Sequence, residues 1–251
     1  EFSQVVFFLQ DSGERIFLDG FRDIHQRQNT ERYQQILQHY YPGTYISNSG
    51  TAAKETISAG GVSGSALDIV SMVTYNEVGS SMSTEAIKAQ AVAVYTYIKY
   101  KGGNASDLYP ASNPPQNVVD AVKSVLGEAV YYDGNYALAM FCASSGGSTA
   151  SCYDIFYEDI PYLRSVSCEY DSQCDPHYGT VEVFSAEELK SILESNLGIT
   201  LSDDPSNWVS IIEGDGGYAA NVVVDGQVTV KGNDFRYYLG LKSPKFECTY
   251  Y

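Results

Sequence analysis

Thr84-Glu85-Ala86-Ile87-Lys88-Ala89-Gln90-Ala91-Val92-Ala93-Val94-Tyr95-Thr96-Tyr97-Ile98-Lys99-Tyr100 is the stretch on which the fold turns. Ala86, Ile87, Ala89, Gln90, Ala93, Val94, Tyr97 and Ile98 recur at helical spacing and form a face too broad for a surface helix, so a central, buried helix is expected. Further helices are read at 117–125 and at 185–196, where Ser185 caps and Glu188 completes a capping box. Between them, Ala129-Val130-Tyr131-Tyr132, the turn Asp133-Gly134 and a returning strand over 136–141 read as a hairpin. The expectation is an α+β fold: mixed sheets with a buried central helix beside a binding groove.

Upstream, the apolar stretch 67–79 carries Glu77 shortly before the central helix. A lone carboxylate next to apolar surface is disposed to a raised pKa, the state a general acid needs near neutral pH. The alternative is a solvated or capping carboxylate at a helix boundary.

Downstream, Phe141-Cys142-Ala143-Ser144-Ser145-Gly146-Gly147-Ser148-Thr149 is followed by Tyr153-Asp154-Ile155-Phe156 and Ile160-Pro161-Tyr162-Leu163-Arg164-Ser165-Val166. Near the end stand Val224-Asp225-Gly226 and Phe235-Arg236-Tyr237-Tyr238-Leu239-Gly240-Leu241-Lys242-Ser243-Pro244-Lys245-Phe246. In this order, together with Glu77 and the Glu-Ala-Ile-Lys-Ala-Gln-Ala-Val that follows it, these segments resemble the SpoIID/LytB family of bacterial lytic transglycosylases over about residues 60–250. The resemblance implies that Glu77 is the catalytic acid and that Gln90, Tyr95, Ser144, Ser145, Gly146, Gly147 and Thr149 contact substrate. The implied substrate is peptidoglycan glycan, free of stem peptides, cut to 1,6-anhydro-N-acetylmuramic acid ends. For the Ser/Gly-rich segment a tight structural turn with serine caps is an equal alternative.

The chain also departs from the family pattern. Where relatives read Ala-Arg-Thr-Tyr it has Val94-Tyr95-Thr96-Tyr97, so Tyr95 replaces an arginine, and Asp19–Asn29 stand where a Gly-His-Gly-x-Gly-Met-Ser-Gln motif is expected. A non-catalytic glycan-binding or scaffold protein of the cell-wall or sporulation machinery is therefore the second reading, and a purely structural partner the third.

With 251 residues, 44% apolar and 18% charged, a sizeable core is expected. A net charge of −16 with only 15 Lys and Arg argues against nucleic acid as a partner. A neutral or polymeric substrate fits better, and the 22 tyrosines offer apolar faces with polar tips that suit sugars, although tyrosine is also a good strand former. No apolar run is long enough to span a bilayer and no signal-peptide pattern appears. An extracytoplasmic place, in the bacterial cell wall or the intermembrane space, is expected by secretion or through an anchor outside these residues.

Five cysteines, at 142, 152, 168, 174 and 248, fall in the second half. Disulfides closing 142–152 or 168–174 lead, with one thiol left over. The alternative is zinc held by Cys142, Cys152, Cys168, Cys174 and His177, without Cys-x-x-Cys spacing to support it. The resemblance adds that Cys142 falls where relatives often carry histidine and that some relatives bind zinc nearby. No cofactor is expected otherwise.

The N-terminal part is read as a hairpin, Phe2–Asp11 with Arg15–Leu18 across the turn Asp11-Ser12-Gly13, and a helix over 30–41 capped by Thr30. Tyr33, Ile36, Leu37 and Tyr40 share the helix's apolar face. Residues 48–65, dense in Gly, Ser, Thr and Ala, read as a linker between a 1–47 piece and a 66–251 domain. Tyr33–Ile46 resembles the element that ends the domain in ordinary family members. A circular permutation, the tail of a preceding repeat, or chance similarity of an amphipathic helix ending in Pro-Gly each fit. A permutation requires the N-terminal strands to pair with the C-terminal third.

Overall fold

The computed structural model describes residues 4–9, 32–142, 144–169 and 171–251, and the fold is α+β. In chain order the elements are β1 (Gln4–Leu9), α1 (Arg32–Tyr40), β2 (Tyr45–Asn48), β3 (Thr56–Ala59), β4 (Val62–Ser65), α2 (Ala66–Val78), α3 (Thr84–Tyr100) and β5 (Asn104–Ala105). Then come α4 (Gln116–Val125), β6 (Glu128–Tyr132), β7 (Asn135–Tyr136), α5 (Cys152–Phe156), α6 (Asp171–Cys174), β8 (Val181–Ser185), α7 (Ala186–Leu197), β9 (Val209–Glu213), β10 (Ala219–Val224), β11 (Val228–Lys231), α8 (Gly232–Leu239) and β12 (Phe246–Tyr250). Two units divide the chain, one of residues 15–142 with 161–163, the other of 1–14, 143–160 and 164–251. The division falls inside the 66–251 stretch expected as one domain.

In the first unit α3 is the axis, packed by α1, α2, α4 and β6. Ser83 caps it by accepting from the Ala86 amide, and the small residues from Ala86 to Ala93 let neighbours approach closely while Ile87, Val92, Val94 and Ile98 are fully buried. Tyr97, expected on the buried face, is half-buried, with its hydroxyl donating to Asp107. On α1, Tyr33, Ile36 and Leu37 are buried, at roughly 1.5–3 kcal/mol each before entropy. Tyr40 is only half-buried; the fourth place goes to Tyr41, whose hydroxyl donates to the Met140 carbonyl at 2.6 Å. The turn Asp11–Gly13, the strand Arg15–Leu18, the segment 19–29 and the cap Thr30 lie outside the described residues.

Residues 48–65 are built rather than linker-like. After the end of β2, a short 3₁₀ turn at Ala52–Lys54 leads into the β3–β4 hairpin, and β3 also pairs in parallel with β5. The small side chains hide the strand pattern in the sequence but allow close packing: Gly60 has φ +53°, and a Cβ there would stand 2.6 Å from the Leu108 carbonyl oxygen. A second sheet runs β2–β6–β7 through the Asp133-Gly134 turn, both residues at positive φ. Its returning strand spans Asn135–Tyr136 and not 136–141, with one further bond from the Ala137 amide to Val130.

The second unit holds the sheets β12–β1–β8 and β11–β10–β9. In the first of these β1 is the middle strand, antiparallel to both neighbours, with Val5 opposite Tyr250 and Phe184 and Leu9 opposite Phe246. The pairing of N-terminal with C-terminal residues that a permutation requires is therefore present for β1. The core here gathers Leu189, Leu193, Trp208, Val222, Val224, Phe235, Leu239 and Phe246, with the Phe235 and Phe246 rings stacked at 5.7 Å. α7 enters through the expected capping box, Ser185 and Glu188 each bonding the other's backbone amide.

Candidate functional site

Glu77 stands in the last turn of α2. Ser65 caps this helix by accepting from the Asp68 amide, buried Ile69, Val70 and Val73 fix its face, and Gly79, at φ 66°, ends it with an N–H bond to Tyr75 O. Four residues later Ser83 starts α3, so Glu77 is carried by a rigid helix whose exit is set by a glycine and a cap. The carboxylate is half-buried, with the Asn76 amide 3.5 Å away.

Gln90 and Tyr95 lie on α3 in the same unit, each 2% exposed. The Tyr95 hydroxyl donates to Glu55 at 2.9 Å, and the same carboxylate accepts from Lys99 at 2.9 Å and from Thr51 at 2.7 Å. Burial works against an ionised Glu55, but the bonds from Thr51, Lys99 and Tyr95 outweigh it and hold the carboxyl below its ordinary range. Tyr95 is pushed up, by burial first and then by Glu55. Beside this group Tyr45, Tyr131 and Tyr136 stack across β2, β6 and β7 at 5.6 and 4.8 Å, and Lys99 lies 5.7 Å from the Tyr136 ring centre. Tyr95 thus bonds an internal carboxylate. Gln90 Nε2, together with Ser71 Oγ and Thr74 Oγ1 on α2, is buried without a partner among the described residues.

The Ser/Gly-rich segment belongs to the other unit. Asp171 Oδ2 accepts from the Ser145 amide at 3.0 Å, from Ser145 Oγ and from the Gly147 amide at 3.2 Å, so one carboxylate fills the loop's nest of donors. Tyr218 donates to Ser145 O at 3.0 Å, Ser148 Oγ donates to Gly216 O at 2.8 Å, and buried Lys245 reaches Ser148 Oγ at 2.9 Å. The Gly146 amide donates to Ser144 Oγ at 3.4 Å, and Thr149 Oγ1 accepts from the Val166 amide at 2.9 Å. Ser144 and Ser145 are 4% and 2% exposed, and Gly146 and Gly147 take positive φ. The arrangement is that of the tight turn, with its donors engaged internally. Asp171 and Lys245 hold it together, and neither carries a local signal in the sequence, because their partners lie 24–26 and 97 residues away.

Of the cysteines, Cys152 is a buried free thiol, so the 142–152 bridge is not formed; burial raises its pKa. Burial likewise pushes Cys248 up to about 11. The side chain of Cys174 lies outside the described ones. Lys242 Nζ donates to His177 Nδ1 at 3.1 Å, and among the described residues no three His, Cys, Asp or Glu side chains gather into a metal-holding group. No helix among the described residues is long and apolar enough to cross a membrane.

No family model matches the chain. It is, however, 30% identical over 205 residues, 70% of its length, to the stage II sporulation protein D of Bacillus subtilis (strain 168). The chain is SpoIID-like. The corresponding protein of Bacillus amyloliquefaciens is 28% identical over 203 residues, and the Bacillus subtilis amidase enhancer is 30% identical over 141. This SpoIID-like chain spans 57% of the length of both sporulation proteins and 19% of the enhancer.

Proposed function

We propose that this SpoIID-like chain has a cell-wall function and is a lytic transglycosylase that cleaves peptidoglycan glycan strands stripped of stem peptides. What carries the reading is the position of Glu77: a half-buried carboxyl at the end of a rigid helix, directly before the central helix, in a chain similar to stage II sporulation protein D. Hydrolysis of a glycosidic bond generally takes two carboxylates, one to donate a proton and one to activate water or attack carbon. Lytic cleavage needs one. The carboxylic acid of Glu77 protonates the departing glycosidic oxygen, the 6-hydroxyl of N-acetylmuramic acid closes on its own anomeric carbon, and the carboxylate takes up the hydroxyl proton, which restores the acid. The products are a shortened strand and a 1,6-anhydro end. Such a substrate places the protein outside the cytoplasm.

Incubation with denuded glycan strands tests this: mass spectrometry should show anhydro-ended products from the wild type. Glu77→Gln should cut their formation by at least ~10²-fold with an unchanged thermal midpoint. Equal activity in the variant would remove Glu77 as the acid.

A second reading is a non-catalytic glycan-binding protein that assists other cell-wall or sporulation proteins. The similarity to a protein named amidase enhancer favours it, as does Tyr95, a buried tyrosine bonded to Glu55 where the family resemblance calls for arginine. Strands that co-sediment with the protein but gain no anhydro ends would establish this reading in place of the first.

A further inference from the structure

We propose that α5, with the β10–β11 pair beside it, is a carbohydrate-stacking platform for an N-acetylated glycan strand, on the unit that does not carry Glu77. The proposal deepens the glycan reading and rests on it. Its starting point is an exposed aromatic group confined to one short segment: Tyr153 is 56% exposed, Phe156 and Tyr157 each 50%. Single exposed aromatics need no explanation, whereas three within five residues of a folded chain mark a contact surface.

The group is held in place. Ser151 caps α5 by accepting from the Asp154 amide, and Asp154 Oδ2 accepts from the Asp215 amide at 2.7 Å, which fastens the helix to the turn before β10. That turn comes so close that a Cβ on Gly214 would stand 2.6 Å from the same carboxylate oxygen. Tyr157 ends the helix in the left-handed region, at φ 60° and ψ 25°, an uncommon conformation for an aromatic residue, with its amide bonded to Tyr153 O at 2.9 Å. Its ring meets that of Tyr153 edge-on at 6.3 Å. From the sheet, Asn221 Oδ1 accepts from the Tyr157 hydroxyl at 3.1 Å, and Lys231 Nζ lies 4.3 Å from the centre of the Tyr157 ring. Asn221 and Lys231 are cross-strand partners, so β10 and β11 present an amide and an ammonium side by side against the same tyrosine.

The chemistry selects the occupant. The one aliphatic residue of α5, Ile155, is half-buried, so the exposed apolar surface of the helix is aromatic. What is exposed is the rings of Tyr153, Phe156 and Tyr157 with two phenol hydroxyls, bordered by half-buried Asn221, whose Nδ2 hydrogens are not engaged by Tyr157, and half-buried Lys231. A pyranose ring has the complementary form: an apolar C–H face that stacks on an aromatic ring, with hydroxyl and acetamido groups around the rim that take hydrogen bonds. Pre-set rings lose little freedom on binding, so their contacts appear in affinity.

The test is calorimetric titration of the full chain with chitotetraose, the tetramer of β-1,4-linked N-acetylglucosamine. Tyr153→Ala combined with Phe156→Ala should weaken binding by about tenfold or more, a factor that corresponds to 1.4 kcal/mol. Both side chains are at least half exposed, so the thermal midpoint should stay in place. Asn221→Ala, away from the helix, should weaken binding a few-fold and serves if the double variant does not fold. Wild-type affinity in the double variant, or in Asn221→Ala when the double variant is unfolded, overturns the proposal. So does the absence of wild-type binding, or self-association that the double variant abolishes without any glycan binding. Binding lost in the double variant, from a wild type that makes no anhydro ends, sustains the platform and removes only the lytic activity.

Discussion

The α2–α3 pair and the Ser144–Thr149 loop treat their polar groups in opposite ways. In the loop, which looks in sequence like a set of ligand-facing hydroxyls and amides, the donors are engaged within the protein, three of them on Asp171 alone. In the helices, which look like plain apolar packing, Ser71, Thr74 and Gln90 bury polar atoms with no partner among the described residues. A small polar residue in a loop is thus weak evidence of a ligand contact, since the backbone of the turn itself competes for it. A polar atom inside a helix pair is costly unless something satisfies it.

Asp171→Ala should have the largest effect, because it leaves two amides and a hydroxyl of the loop without their acceptor. A loss of about 3 kcal/mol is expected in chemical denaturation, at roughly 1–3 kcal/mol per deprived group with partial rescue by water. A change below 0.5 kcal/mol would mean that the loop's donors face solvent, and the contrast with the helices would collapse.

Tyr95→Phe comes next, at about 1–2 kcal/mol at neutral pH, from one hydrogen bond to a charged group. Glu55 is held below its ordinary pKa partly by this bond, so its contribution is full at neutral pH and fades as pH falls through the lowered value, below the usual carboxyl range near 4.3. Thermal midpoints of wild type and variant should therefore differ at pH 7 and converge in acid. A gap that widens as pH falls would refute the role given to Glu55.

Gln90→Leu should do least to stability: replacing a partnerless buried amide by an apolar group of similar size is neutral or slightly stabilising, within about 1 kcal/mol. A loss of 2 kcal/mol or more would show that a buried water or another group satisfies the amide, and would sharpen the contrast into one between two kinds of satisfied polar group.

What was legible in the sequence follows the same division. α3 runs over the predicted Thr84–Tyr100 and α7 begins at the predicted Ser185–Glu188 box, because helical periodicity and caps are local signals. The β3–β4 hairpin resembles a linker in the sequence, since its Ser, Gly and Ala residues carry almost no contrast between a buried and an exposed face. Glu77 could be singled out by its neighbours on either side. The internal engagement of Ser145 and of Tyr95 could not, because Asp171 and Glu55 lie 26 and 40 residues away.

The middle position of β1 in its sheet bears on how the protein is made. Val5-Val6-Phe7-Phe8-Leu9 leaves the ribosome well before its two partners, Val181–Ser185 and Phe246–Tyr250. At about 5–20 residues per second, roughly 10–50 s separate the emergence of this strand from that of its later neighbour. Until Val181–Ser185 emerges a short, uncharged, β-prone segment has both edges open, and one edge stays open until Phe246–Tyr250 follows, the kind of segment that pairs with other nascent chains. Yield on overexpression should therefore depend on chaperone supply and on translation speed more than on the final stability of the fold.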